Sequence, residues 1–257
     1  MTENQENANP QPSLLNPLLA AFQFLTVLPV ANKRLFTLPE LGQAVGLYPF
    51  VGLVLGALLA GGHTLFSLIF SPFVVAALTL VLWLVLTGAL HLDGFLDACD
   101  GLFGGKTPES RLEIMRDERV GAFALAGGVG LLLTKYAALG AVADPRGAVI
   151  LAPVLARWGM TLAIIGFPGA RPAGFGQAVK VNTTWRQVIL ATAFTLIVVV
   201  SLRGVRGLVL VGVVAAGVWL VGKFVTRRIP GLTGDIYGAI CEISEGLVLL
   251  ALAGGLT

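Results

Sequence analysis

Three aspartates, Asp93, Asp97 and Asp100, close an apolar run from Phe73 to Leu90 that holds no charged residue. Offsets of 0, 4 and 7 residues put them at about 0°, 40° and −20° around a helix axis, on one narrow face. His91 falls at about 160°, on the opposite side, where a structural hydrogen bond suits it better than metal ligation. Carboxylates in or beside a bilayer are costly without a compensating partner. No basic residue lies within this helix. Clustered carboxylates with nothing softer nearby suit a hard divalent ion, Mg²⁺ or Mn²⁺, which completes its shell with water and substrate phosphates. The plain alternative is a solvated helix end decorated with acids.

The elements that must position this cluster are membrane helices. Of 257 residues, 56% are hydrophobic and 12% charged, and the mean hydropathy is +0.88. Soluble domains carry about twice that charge. The sequence therefore predicts an all-α, polytopic integral membrane protein, bound to the lipid bilayer. A net charge of +3, scattered among loops, gives no case for nucleic acid. Cys99 and Cys241 lie far apart in helical context and read as packing residues.

Residues 1–13 read as a disordered polar lead and 14–257 as one helical membrane domain. The stretch 14–30 is apolar but broken by Pro17, Gln23 and Pro29, as for an interfacial or re-entrant helix. About seven spans follow, at 43–62, 72–92, 122–142, 147–167, 187–202, 206–226 and 236–256. The second runs directly into the aspartate helix. Thr107 and Pro108 then open a short charged helix to about Arg119, and His63 sits in a turn after the first span. Gly52 and Gly56 form a small-xxx-small pair. Loops on the aspartate side hold twelve Lys and Arg residues against three on the other, which places that side in the cytoplasm.

A second acidic set lies in the last span. Asp235 follows Thr233 and Gly234, where it suits a helix cap or a site, and Glu242 and Glu245 follow on the same helix. For the two glutamates the plain reading is pairing with the intramembrane Lys135 and Arg157. The loop RPAGFGQAVK supplies Arg171, Lys180 and glycine-freed amides, a combination that holds phosphate. Carboxylate-bound metal, flanking arginines and a cytoplasm-facing cavity together fit phosphoryl or phosphodiester transfer. At this level the residues define a reaction class and no substrate.

The stretch HLDGFLDACDGLFGG followed by RLEIMRDERVGAF resembles the cobalamin synthase family, whose signature is HxDGxxDxxDGxF and then MRDxRxG. FQFLTVLPV, YPFVGLVLGAL and GLTGDIYGAICEISEG resemble other segments of that family, so the likeness covers most of the chain. The resemblance implies an Mg²⁺-dependent adenosylcobinamide-GDP ribazoletransferase, a transferase of cobalamin biosynthesis in a bacterial or archaeal cytoplasmic (inner) membrane. Such an enzyme passes phosphocobinamide from adenosylcobinamide-GDP to the 3′-hydroxyl of α-ribazole or its 5′-phosphate and releases GMP. Carried onto this sequence, it implies a catalytic core at 91–121 and 231–245. Asp93, Asp97 and Asp117 would bind metal and pyrophosphate, with Asp100 a further ligand or the base. Arg116, Arg119 and Arg171 would contact phosphate, and Asp235 would support the metal site or hold a second ion. Lys180 and His91 complete the candidate substrate contacts, and a homo-oligomer stays open. Two readings compete. One is a CDP-alcohol phosphotransferase, although Asp97 is followed by Ala98, Cys99 and Asp100 and not by that family's Ala-Arg. The other is a divalent-cation transporter, against which the acids gather at helix ends and not at mid-membrane.

Overall fold

Long apolar stretches fold as helices because a helix satisfies its own backbone groups where no water can. The computed structural model describes residues 15–30 and 34–256; the polar lead at 1–13 lies outside the described residues. Among those residues the fold is all helix, with a single isolated parallel bridge between Gly169 and Leu232.

Helix α1 (Leu15–Leu25) is 11 residues long, about 16 Å, too short to cross a bilayer. It buries Ala20, Ala21 and Leu25 against α2 (Leu38–Ala44) and α3 (Tyr48–Ser67). Next come α4 (Pro72–Thr87), α5 (Leu90–Gly104), α6 (Pro108–Ile114), α7 (Ala122–Ala141), α8 (Pro145–Gly166) and α9 (Phe175–Val181). The chain continues through α10 (Trp185–Arg203), α11 (Leu208–Thr226) and α12 (Gly234–Ala253). By length and composition five helical runs among the described residues are able to cross a membrane, or six counting α4 and α5 together. The expected count of seven is not reproduced as such. One of the five, Trp185–Thr226, is a 42-residue run that contains both α10 and α11, with Gly204 between them at φ 60° and ψ −160°.

The expectation that the second span runs straight into the aspartate helix is corrected. Helices α4 and α5 meet at 92°. Gly88 and Ala89 both take left-handed backbone, at φ 61° and 55°. Gly88 does so without steric cost, whereas for Ala89 it costs about 1–2 kcal/mol. The turn is closed by Ala89 N–H donating to Leu84 O at 2.9 Å, a Schellman-type helix stop. The aspartates are thus borne on a separate helix packed against α12, α7 and α6.

Helices α8 and α12 form the middle of the bundle, touching each other and most of the long helices. The Gly52–Gly56 pair packs inside the chain: a Cβ at Gly52 would lie 2.5 Å from Pro153 O, and one at Gly56 2.6 Å from Ile150 Cα. Within the core, Lys135 on α7 pairs with Glu242 and, at 2.6 Å, with Glu245, while Arg157 on α8 pairs with Glu245. The plain reading of those glutamates holds. Two smaller expectations change. Helix α6 stops at Ile114, five residues before Arg119. His63 lies inside α3, not in a turn, with Nδ1 3.2 Å from Thr79 Oγ1.

Candidate active site

Helix α5 is seated by backbone contact. A Cβ at Gly94 would fall 3.0 Å from Asp235 O, and one at Gly238 3.1 Å from His91 O, so α5 and α12 touch main chain to main chain. That contact brings Asp235 beside the α5 acids: Asp93, Asp235 and Asp100 all lie within Coulomb range of Asp97. Thr233, and not Asp235, caps α12: its hydroxyl accepts from Ile236 N–H at 3.3 Å and donates to Asp235 Oδ2 at 3.1 Å. The parallel bridge joins the 168–170 loop to the segment before α12, through Ala170 N–H to Leu232 O at 2.9 Å and Leu232 N–H to Pro168 O at 2.8 Å. It sets Arg171 Nη2 3.9 Å from Asp235 Oδ2 and 3.4 Å from Leu112 O. Pro168-Gly169 and Pro230-Gly231 were the only sequence signals for this bridge, and neither identifies a partner.

Three cavities surround these residues. An acidic cavity of about 210 Å³ is lined by Asp93, Asp97, Asp100, Arg116, Asp117 and Glu118. An aromatic pocket of about 260 Å³ is lined by Phe24, Tyr48, His91, Asp93, Arg171, Asp235 and Tyr237, with aliphatic neighbours. An open cleft of about 600 Å³ lies over Glu109, Glu113, Arg116 and Arg171. Asp93 belongs to the first two, Arg171 to the last two, and Arg116 to the acidic cavity and the cleft. The expected residues therefore converge, although not in equal roles.

Asp93 and Asp97 carry carboxylates with no hydrogen-bond or ion-pair partner among the described residues. Asp100 differs. Its Oδ2 accepts from Gly121 N–H at 2.6 Å and its Oδ1 from Ala124 N–H at 2.9 Å, so both oxygens are taken by the start of α7. A Cβ at Gly121 would sit 2.7 Å from Asp100 Oδ1, which leaves room only for glycine. Asp117 lines the acidic cavity, but its carboxylate is forked onto Arg119, Nη2 to Oδ2 at 2.5 Å and Nε to Oδ1 at 2.9 Å. These side-chain hydrogen bonds, with the Arg119 backbone N–H, pull its carboxyl down to about 2. Arg119 is 89% exposed and lines none of the three cavities.

Lys180 stands apart from the expected phosphate contacts. Its Nζ donates to Ile164 O at 2.6 Å, near the end of α8, and burial lowers its pKa from the ordinary lysine value. The backbone of His91 packs against Gly238 of α12, yet the expected structural hydrogen bond is absent among the described residues: its Nε2 is buried without a partner. Tyr237, which the sequence did not single out, shares that state at its hydroxyl.

No set of three or more His, Cys, Asp or Glu side chains among the described residues is arranged to hold a metal ion. What α5 offers is an open pair, Asp93 and Asp97. Such a pair fits Mg²⁺, which commonly takes one or two carboxylates and completes its octahedron with waters and substrate phosphates. It does not fit an ion that needs a closed protein cage.

Comparison with known proteins identifies the family. Residues 17–253 match the family model for cobalamin-5-phosphate synthase. An adenosylcobinamide-GDP ribazoletransferase of Roseiflexus sp. (strain RS-1) is 38% identical over 240 residues, covering 92% of this chain and 88% of that protein. One from Desulforamulus reducens is 38% identical over 244 residues, covering 94% and 98%. Another, from Pseudomonas paraeruginosa, is 40% identical over 244 residues, covering 93% and 98%. No solved structure matches the chain. With its two signature segments on the walls of one linked set of cavities, the chain belongs to the cobalamin-5-phosphate synthase family.

Proposed function

We propose that this chain is an Mg²⁺-dependent adenosylcobinamide-GDP ribazoletransferase whose active site opens to the cytoplasm. The observation that carries the proposal is the linkage of three cavities through Asp93, Arg116 and Arg171 around an unpartnered carboxylate pair. The relatives carry this activity in their names. The twelve-to-three bias of basic residues toward loops on this side supports the cytoplasmic orientation in an inner membrane.

In this reading Asp93 and Asp97 would hold the ion, and it would supply neutralisation of charge on the pyrophosphate and the leaving group. Arg116 and Arg171, both lining the open cleft, grip the pyrophosphate oxygens. Asp235 takes the proton of the ribazole 3′-hydroxyl, since Asp100 is committed to α7 and Asp117 to Arg119. The hydroxyl oxygen bonds to the phosphorus attached to cobinamide. The bond from that phosphorus to the GMP oxygen breaks, and GMP leaves with its electron pair.

The test uses protein purified in detergent with adenosylcobinamide-GDP and α-ribazole 5′-phosphate, with GMP and corrinoid product followed in Mg²⁺ and in EDTA. Product formed in Mg²⁺, lost in EDTA and lost in a folded Asp93→Asn variant, is expected. Turnover retained by Asp93→Asn would overturn the assignment of the site.

A further inference from the structure

Two residues that line the aromatic pocket each carry a buried polar atom with nothing to bond among the described residues. His91 is 3% exposed and Tyr237 6%, and among the described residues neither His91 Nε2 nor the Tyr237 hydroxyl has a hydrogen-bond partner. A buried polar group left unpaired is costly, so two on residues lining one pocket suit a ligand that pairs them. One side is apolar and aromatic, with Phe24 and Tyr48, ring centroids 6.4 Å apart, and Met160, Ile164 and Val179, while Arg171 adds a cation to the lining. Asp93 and Asp235 close one end.

We infer that this pocket seats the base of the acceptor nucleoside, with Tyr237 and His91 binding its free ring nitrogen and ribosyl oxygens. The inference rests on the proposed ribazoletransferase reading. A dimethylbenzimidazole presents two methyl groups and one unsubstituted ring nitrogen, matching an apolar slot with few polar groups. A corrin is far too large for about 260 Å³. A base held here directs its ribose toward Asp235 and toward Asp93, the residue this pocket shares with the acidic cavity. The cobinamide nucleotide then approaches from the open cleft, past Arg171 and Arg116.

Two variants test this. Tyr237→Phe removes only the hydroxyl, and Val179→Phe fills the slot from α9. Both are assayed for KM toward each substrate, and both are tested by equilibrium dialysis with radiolabelled α-ribazole. Tyr237→Phe is expected to raise KM for α-ribazole about tenfold, and Val179→Phe to abolish dialysis binding. KM for adenosylcobinamide-GDP should stay within about twofold. A KM change confined to the cobinamide nucleotide, or wild-type α-ribazole binding in both variants, would overturn the pocket assignment. Should the wild type bind α-ribazole yet release no GMP, the reaction proposed above fails while the pocket stands. Absence of binding by the folded wild type overturns the pocket.

Discussion

Asp100 accepts the Gly121 amide at 2.6 Å from twenty-one positions further along the chain, and so fastens α5 to the head of α7. A carboxylate on two helix N-terminal amides is a charge-assisted cap that also meets the positive end of the helix dipole. Asp100→Asn should therefore lower the unfolding stability by about 1–3 kcal/mol, because one oxygen becomes an amino group facing an N–H. Asp93→Asn should leave stability within about 0.5 kcal/mol while abolishing turnover. Thermal unfolding in detergent beside the GMP assay separates the two; equal stability losses would contradict the distinction drawn between these aspartates.

The α5–α12 contact has no room for side chains at Gly94 and Gly238. Gly94→Val should push the helices apart, costing about 1–3 kcal/mol by overpacking and reducing kcat more than tenfold by moving Asp93 away from Asp235. Wild-type kcat in Gly94→Val would show that the spacing of the two acids is unimportant.

Lys180 ties α9 to the carbonyl of Ile164. Lys180→Met is expected to lower Tm by a few degrees and to leave KM for adenosylcobinamide-GDP within about twofold. A tenfold rise in that KM with Tm unchanged would restore Lys180 to the phosphate contacts.

Asp117 is held down to about 2 by Arg119. A depressed carboxyl contributes above its ordinary value and loses that contribution only as pH falls through about 2. Asp117 is therefore ionised throughout any working range, and Arg119→Ala should return it only to the ordinary carboxylate value, near 4. The pH–rate profile of Arg119→Ala is expected to match wild type above about pH 6. An acid limb that shifts within that range would assign the titration to Asp117.

Glu245 accepts from both Lys135 and Arg157 in a fully buried setting. Glu245→Gln leaves two cations sharing the single carboxylate of Glu242, and removal of one partner from such a network costs about 3–5 kcal/mol. Folded yield after detergent extraction is the measurement. Wild-type yield and Tm would show that the network carries no stability.

The sequence reveals the helices, the acidic face of α5 and the pairing of the intramembrane charges, because each rests on local periodicity or on the cost of an unpaired charge in lipid. The right angle between α4 and α5 is hidden because Ala89 has no preference for left-handed backbone, and a glycine beside it is ordinary. The commitment of Asp100 is hidden too, since its partners lie at positions 121 and 124 and a helical wheel ranks it equal to Asp93. Tyr237 escapes notice for a related reason: a tyrosine in a membrane helix is unremarkable until its hydroxyl is seen to lack a partner.

The core ion network also constrains how the protein is made. Lys135 and Arg157 leave the ribosome about a hundred residues before Glu242 and Glu245. Helices α7 and α8 must therefore enter the membrane each bearing a central cation, at an insertion cost of about 2.5–3.5 kcal/mol apiece. Their counter-ions arrive only with α12. Until then neither cation has its carboxylate, so the last helix to be made is the one that neutralises the two cations made before it.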